Sequence, residues 1–203
     1  IHGAEKRTQV PLREIPQQLK WATIVAEDKN FYSHGGVDFM GVARAALKNI
    51  NNIGTGKRPE GASTITQQVA KNFLLTNEVS YERKIKEALL AFRMERTMSK
   101  ERLLELYLNE IYLGGGAYGV AAASLKYFDK PLETITIEEA AYLAALPKAP
   151  NNYQVPKNYD EALERRNWVI GRMEDDGHIT DAEADIALVK PLDPKNITLG
   201  SSV

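Results

Sequence analysis

Apolar residues recur every three or four positions over much of the chain, the spacing that lines one face of an α-helix. In residues 17–28 the repeating positions are Leu19, Ala22, Ile24 and Val25. Later segments repeat this pattern, and none alternates convincingly as a half-buried β-strand would. The helices predicted after the first are 38–50, 64–73, 80–98, 100–113, 117–128, 136–146, 159–176 and 180–189. The pattern therefore predicts a mainly α protein.

Capping and breaking residues divide these segments. Ser80 and Ser99 are suitable N-caps for the helices that follow them, and Pro147 stops the helix before it. Consecutive glycines at 114–116 interrupt the pattern. Residues 51–62 combine glycines and a proline with no apolar period, which predicts a loop, and loops of this kind often cover a site.

Composition narrows the class of protein. The 203 residues suffice for one domain or two small lobes, and the absence of cysteine excludes disulfides and thiolate metal sites. No run approaches the roughly 18 apolar residues of a membrane span. Because the chain starts at Ile1 rather than Met, it is expected to be a fragment of a longer protein.

The net charge of −1 conceals an uneven distribution. Residues 40–100 hold 11 Lys and Arg against 5 Asp and Glu, a local +6, whereas residues 129–195 hold 8 against 14, a local −6. A basic middle in a neutral chain favours an anionic ligand bound there, with a solvated charged helix face as the alternative. The excess is too small for non-specific nucleic-acid binding, so no nucleic-acid partner is expected.

Two adjacent carboxylates, Glu27 and Asp28, end the first apolar helix, and Phe31 and His34 follow closely. A carboxylate at a helix C-terminus faces the negative end of the helix dipole, and burial beside apolar neighbours raises a carboxyl pKa. Such a group is a candidate general base or acid. The alternative is a fraying surface end with two solvated acids.

Glu87 is a second carboxylate in an apolar setting. On the helix at 80–98, apolar residues occupy both the side centred on Ile85 and the opposite side, so this helix is predicted to be buried along much of its length. A buried carboxylate needs a partner. Arg83, four residues earlier, supplies a structural ion pair in one interpretation. In the other, Glu87 is a second active-site acid beside a cationic pocket.

Residues 61–68, GASTITQQ, place consecutive hydroxyls and amides at the start of a predicted helix, and Lys71 follows one turn later. Such groups are good ligands for anions and sugars. The alternative is a polar cap region in which Ser63 is the N-cap.

Four stretches in this order resemble the family 51 peptidoglycan glycosyltransferases, the sugar-polymerising domain of class A penicillin-binding proteins. The family motifs are E-D-x-x-F-x-x-H-x-G, G-x-S-T-I-T-Q-Q, R-K-x-x-E and K-x-x-x-L-x-x-Y-L-N. The matching residues are Glu27, Asp28, Phe31, His34 and Gly36; Gly61 and residues 63–68; Arg83, Lys84 and Glu87; and Lys100, Leu104, Tyr107, Leu108 and Asn109. The likeness continues through AYGVAAASLKYF, LPKAPNNY and RRNWVIGRM, so it covers most of the chain.

The resemblance implies a mainly α, lysozyme-like glycosyltransferase domain with two lobes, a head and a jaw. The domain would span residues 1–190, with the jaw at about 37–62 and the start of a linker at 191–203. A class A parent would carry a membrane anchor before Ile1 and a transpeptidase domain beyond Val203. It would work at the outer face of the bacterial cytoplasmic membrane. The apolar face of the helix at 38–50 would touch the bilayer, with core packing as the alternative.

The implied reaction polymerises lipid-pyrophosphate-linked disaccharide-peptide, lipid II, onto a growing glycan strand. The acceptor's GlcNAc 4-hydroxyl attacks C1 of the donor's MurNAc, lipid pyrophosphate leaves, and the α linkage becomes β(1→4). By motif position, Glu27 is the general base and Glu87 the assisting acid. The implied ligands of the pyrophosphate are Lys71, Arg83 and Lys84, and the other implied substrate-binding residues are Asp28, His34, Ser63, Gln67 and Gln68.

No cofactor is required by these residues. The resemblance makes Mg²⁺ or Mn²⁺ at the pyrophosphate a candidate, although no metal-ligand spacing in the sequence indicates one. One departure from the family concerns residues 77–79, where members often carry a cation and this chain has Glu78. One pyrophosphate contact is therefore missing or supplied by Lys71, Arg83 or Lys84, which bears on substrate affinity.

Two other functions stay open on the residues alone. A lysozyme or lytic transglycosylase would use a cleft glutamate in the same fold, although cleaving finished glycan requires no cationic pyrophosphate site. A helical binding module would keep the scaffold without catalysis, although the presence of both Glu27 and Glu87 argues against it. Polymer from a lipid-linked precursor or fragments from glycan would separate the two enzymes.

Overall fold

The structure is a computed structural model that describes residues 9–57, 59–74 and 78–195. Within these ranges no β-sheet forms, and the mainly α prediction is confirmed. None of the helices described there is both long enough and apolar enough to cross a membrane. The α-helices are α1 (Gln17–Glu27), α2 (Phe39–Asn51), α3 (Ile65–Phe73), α4 (Tyr81–Thr97), α5 (Lys100–Glu110), α6 (Val120–Phe128), α7 (Ile137–Ala145), α8 (Tyr159–Asp175) and α9 (Asp181–Leu188). Short 3-10 helices occupy Leu12–Glu14, Leu132–Thr134 and Leu146–Lys148.

The largest differences from the predicted helix boundaries lie beside the glycines at 114–116. α5 ends at Glu110 rather than at 113, and α6 begins at Val120 rather than at 117. All three glycines adopt positive φ and turn the chain back on itself. Leu113 N then donates to Ala117 O at 2.8 Å. This bond across the turn replaces the helical bonds that the apolar pattern predicted.

The chain divides into two compact units, Ile1–Ala26 with Leu108–Val203, and Glu27–Tyr107. The core of the first unit surrounds α7, whose residues 140–145 are all buried and mostly alanine. These small side chains let neighbouring helices approach closely. The residues of α8 and α9 that share this core are Val169, Ile170, Met173, Ala184 and Ala187.

Segments between and after the helices of the first unit are held in place by hydrogen bonds and burial. Tyr142 donates its hydroxyl to Tyr153 O at 2.6 Å. Leu192 is buried, and Lys195 N donates to Tyr127 O at 2.7 Å. The backbone at Lys195 therefore still contacts this unit, and the predicted domain end at 190 stays a prediction. Residues 196–203 of the predicted linker lie outside the described residues.

In the second unit, α3 packs against α4. The buried side of α4 carries Glu87, Ala91 and Met94, whereas Ile85 and Leu89 are exposed. The prediction that α4 is buried along both sides is therefore wrong. Its apolar residues cover the full circumference, but α3 covers one side and leaves Ile85 and Leu89 in solvent.

α2 presents an apolar surface to solvent in the same unit. Asp38 caps the helix by accepting a hydrogen bond from Gly41 N at 3.0 Å, and Ala45 is buried. The exposed apolar residues on α2 and just after it are Phe39, Met40, Val42, Leu47, Ile50 and Ile53. The alternative prediction, that this face of α2 packs in the core, is therefore wrong. The predicted jaw, at about 37–62, falls within the range of the second unit, and its limits stay a prediction.

Candidate active site

All the residues that the motifs single out for chemistry fall in the second unit, Glu27–Tyr107. Glu27 is the last residue of α1 and is half-buried. Its carboxylate accepts a hydrogen bond from Gln68 Nε2 on α3 at 3.3 Å. The first and second motifs therefore meet at the carboxylate that the sequence marks as the candidate base.

Asp28 fixes the segment after α1 to the start of α3. Its side chain is 2% exposed, and one oxygen accepts hydrogen bonds from His34 Nε2 at 2.7 Å and from Ile65 N at 3.0 Å. Gly36 N donates to His34 Nδ1 at 3.1 Å, so the geometry makes Nδ1 the acceptor and Nε2 the proton donor. Asp28 and His34 are therefore engaged in holding the backbone around Glu27, and their contact with substrate stays a prediction.

Gly36 is needed where this segment crosses α4. Its φ is +120°, and a Cβ placed there would lie 3.1 Å from both the carbonyl carbon and the oxygen of Ala91. Glycine alone combines this backbone conformation with the close approach. The first motif thus ends where its chain touches the helix that carries the third.

The start of α3 is capped by Thr64, not by Ser63 as the alternative interpretation of this stretch expected. Thr64 Oγ1 accepts from Gln67 N at 3.0 Å and donates to Gly36 O at 2.6 Å. The Gln67 side-chain oxygen accepts from Thr64 N at 2.9 Å, which completes a capping box. Gln67 is buried and its oxygen is used locally, so its place in a cleft stays a prediction.

Lys84 joins the second and third motifs. Its ammonium donates to Ser63 Oγ at 2.7 Å and to Glu87 Oε1 at 2.9 Å. Glu87 is 4% exposed, so the prediction that it lies inside the unit and needs a partner is confirmed. The expected partner, Arg83, is wrong, since the carboxylate pairs with the lysine three residues earlier.

Arg83 and Lys71 are the other two cations predicted to bind the pyrophosphate. Arg83 Nη1 donates to Glu78 O at 2.8 Å, so a guanidinium contacts the stretch where family members often carry a cation. Asn77, in the same stretch, lies outside the described residues. Lys71 is exposed on α3, one turn beyond Gln68. The roles of these cations toward pyrophosphate stay predictions.

Glu95 is a half-buried acid that sequence reasoning missed. Its Oε1 accepts from Lys100 Nζ at 2.7 Å and from Thr66 Oγ1 at 2.8 Å. The same ammonium donates to His34 O at 2.6 Å and lies 4.7 Å from the centre of the Phe31 ring. Glu95 belongs to none of the four motifs. Its position eight residues after Glu87, on the same side of α4, is the signal that could have found it.

The described residues form no metal centre from protein side chains alone. Among residues 9–57, 59–74 and 78–195, no three His, Asp or Glu side chains converge so that they could hold a metal ion. Glu87, the buried carboxylate beside the predicted phosphate ligands, is bound to Lys84. The described residues thus supply no protein-only site for Mg²⁺ or Mn²⁺, and an ion held chiefly by the pyrophosphate stays a prediction.

A family model described as Transglycosylase matches residues 1–174. The chain belongs to the transglycosylase family. This membership confirms the resemblance drawn from the four motifs, and it assigns the transglycosylase chain to the peptidoglycan glycosyltransferases.

Relatives named penicillin-binding protein 1A match nearly all of the chain. The protein from Rickettsia felis is 55% identical over 191 residues, which are 94% of this chain and 24% of that protein. The protein from Aquifex aeolicus is 48% identical over 193 residues, 95% of this chain and 26% of that protein. The transglycosylase chain thus spans about a quarter of the length of these relatives.

A solved structure agrees with this assignment. The crystal structure of penicillin-binding protein 1A from Haemophilus influenzae is similar with a TM-score of 0.53 and 27% sequence identity. The match covers 94% of this chain and 18% of that chain. The expected mainly α fold of a glycosyltransferase domain is confirmed.

The half-buried acid Glu95 gives a test of what stabilises the site. We expect Glu95→Gln to lower the free energy of unfolding by roughly 1–3 kcal/mol, because Lys100 loses its anion in a half-buried setting. Urea denaturation monitored by circular dichroism measures the loss. Glu82→Gln is the matched control, since Glu82 pairs with Lys86 on the exposed side of α4 and its change should have little effect. Equal losses of stability in the two variants would show that the contacts of Glu95 with Lys100 and Thr66 stabilise the unit no more than a surface ion pair does.

Proposed function

We propose that the chain polymerises lipid II into β(1→4)-linked glycan by direct displacement at C1 of the donor sugar. The observation that carries the proposal is the pairing of charged groups along residues 63–68. One end of this segment binds the half-buried Glu27 through Gln68, and the other binds the Lys84 ammonium through Ser63. A carboxylate and a fixed cation on one polar segment are what an acid–base displacement with an anionic leaving group needs.

Glu27 acts as the general base in this proposal. A sugar hydroxyl is a poor nucleophile, and removal of its proton as the new bond forms lowers the barrier. The 4-hydroxyl oxygen of the acceptor bonds to C1 of the donor, while the bond from C1 to the pyrophosphate oxygen breaks. The proton passes to Glu27, and the electron pair leaves with the pyrophosphate. One displacement inverts the configuration at C1, as inverting glycosidases do with water.

Lys84, Arg83 and Lys71 stabilise the charge that develops on the leaving pyrophosphate. Their effect is largest where positive charge is held in place before the reaction begins. Glu87 supports this by binding the Lys84 ammonium, which orients it beside Ser63. We therefore assign Glu87 an assisting role at the leaving group rather than the role of base.

The chain works at the cell envelope in this proposal, on the outer face of the cytoplasmic membrane, with lipid II and the growing strand as its partners. The lipid-linked substrate requires contact with a membrane surface. The exposed apolar side chains of α2 suit such a contact. Arg44 and Lys48 on the same helix pair with Asp38 and Glu60, but both cations are exposed and can also contact anionic headgroups. A transpeptidase domain in the longer parent protein is part of the same proposal.

We expect Glu27→Gln to form no glycan polymer from lipid II in detergent, because the amide cannot accept the acceptor's proton. Gel analysis of the products against wild type checks this, with Glu82→Gln as the control for a lost surface charge. Equal polymer from wild type and Glu27→Gln would remove Glu27 as the base. Fragments released from finished glycan, with no polymer from lipid II, would instead support the hydrolytic alternative.

We expect Lys84→Met to lower kcat roughly tenfold to a hundredfold, because one fixed charge at the leaving group is lost. Lys86→Met is the matched control on the same helix, since Lys86 pairs with the exposed Glu82 and should leave kcat near wild type. Lys84→Arg should retain more activity than Lys84→Met. Initial rates over a range of lipid II concentrations measure these effects, and equal rates for the two methionine variants would contradict the assignment.

We expect Ile50→Glu to reduce binding to vesicles that contain anionic phospholipid severalfold, because a charge is placed on the apolar face of α2. Ile186→Glu is the matched control in the other unit: Ile186 on α9 is 62% exposed, against 61% for Ile50. Vesicle co-sedimentation measures the bound fraction. A similar loss for both variants would argue against α2 as the membrane contact.

A further inference from the structure

The hydroxyl group of Tyr107 on α5 is buried and makes no hydrogen bond within the described residues. The side chain is 2% exposed, and no hydrogen-bond partner among the described residues reaches its hydroxyl oxygen. A buried hydroxyl left in this state costs stability, and such groups are few in folded proteins. Its presence on the buried side of the second unit therefore needs an explanation beyond packing.

Other buried tyrosines of the chain show the ordinary solution. Tyr127 donates to Leu113 O at 2.7 Å, and Tyr142 donates to Tyr153 O at 2.6 Å. In both, a backbone carbonyl accepts the proton. Tyr107 faces charged groups instead: burial raises the pKa of its hydroxyl well above the usual value, and the nearby charges of Glu27 and Asp28 raise this pKa further. The phenol therefore stays neutral and keeps its proton beside two carboxylates.

Of these two carboxylates, Asp28 is already committed to the fold. One of its oxygens accepts the short bonds from His34 and from the start of α3. Glu27 accepts its bond from Gln68 at a longer distance, 3.3 Å. Bonds to catalytic groups are often long without substrate and shorten in the reacting complex.

We propose that Tyr107 is a positioning residue that donates a hydrogen bond to the Glu27 carboxylate in the working enzyme. The inference rests on the proposed role of Glu27 as base. The bond holds the carboxylate turned toward the acceptor hydroxyl and stabilises its ionised form, because a hydrogen bond to a charged group is stronger than one to a neutral group. Tyr107 touches no reacting atom and acts through Glu27.

The test is the pH dependence of kcat for lipid II polymerisation by wild type and Tyr107→Phe, because kcat reports the ionisation of groups in the substrate-bound enzyme. Loss of a donor to the ionised form raises a carboxyl pKa, so the acidic limb should move to higher pH by about one unit. The other charged or titratable groups of this site are Asp28 and His34 after α1, Lys71 on α3, Arg83, Lys84, Glu87 and Glu95 on α4, and Lys100 on α5. All of them are the same in both proteins, so the shift reports the phenol.

Tyr142→Phe is the matched control, because it removes a satisfied hydroxyl from the other unit. We expect Tyr142→Phe to lower Tm and leave the acidic limb in place. We expect Tyr107→Phe to keep Tm at or above the wild-type value and move the limb. An unmoved limb in Tyr107→Phe, or equal limb shifts in the two variants, would overturn the proposal.

A second readout separates this inference from the proposed function. In protein labelled with ¹³C at the glutamate carboxyl carbon and saturated with lipid pyrophosphate, the leaving group of the proposed reaction, the resonance absent from Glu27→Gln identifies Glu27. Its titration midpoint should be higher in Tyr107→Phe than in wild type. This measurement needs no turnover. An equal midpoint would overturn the contact even if Glu27→Gln abolishes polymerisation. A raised midpoint together with an active Glu27→Gln would uphold the contact and reject Glu27 as the base.

Discussion

The buried carboxylate of Asp28 is the interaction on which the second unit depends. It binds the imidazole of His34 and the first backbone N–H of α3 with one oxygen, so it joins two segments that lie 37 residues apart in sequence. A carboxylate removed from water is costly unless such donors replace its hydration. Because both donors are fixed, the end of α1 has a defined position relative to α3, and Glu27, the residue just before Asp28, is held against Gln68.

A second set of charges supports the same region from α4 and α5. Lys100 satisfies Glu95 and the backbone carbonyl of His34 together, and Thr66 completes the coordination of the acid. Each group would be unfavourable alone at this depth, and removing one would leave its partner unpaired. The unit therefore keeps several ionised groups in a small volume by pairing each one. Lys84 with Glu87 repeats the arrangement nearer the solvent, where the ammonium is accessible to an anionic ligand.

The sequence predicted the helices well, because their apolar period and their capping residues agree. Ser80 caps α4, as predicted, by accepting from Arg83 N at 3.1 Å. It predicted the ends of α5 and α6 less well, since the glycine turn at 114–116 allows backbone bonds between residues on either side that no local pattern reveals. It also mispredicted the burial of α4, because an apolar residue such as Ile85 indicates suitability for burial and not the presence of a neighbour to cover it.

The sequence by itself determined the family and the set of chemical groups. The motifs that hold Glu27, Lys84 and Glu87 are recognised from the order and spacing of residues in the sequence alone. Only the tertiary structure decided the pairing of those groups: Glu87 with Lys84 rather than Arg83, Thr64 rather than Ser63 as the cap, and Glu95 with Lys100 and Thr66. The physical reason is that a side-chain bond depends on rotamer and on helix packing, and residues three and four positions apart on a helix are equally near until a neighbouring element selects one.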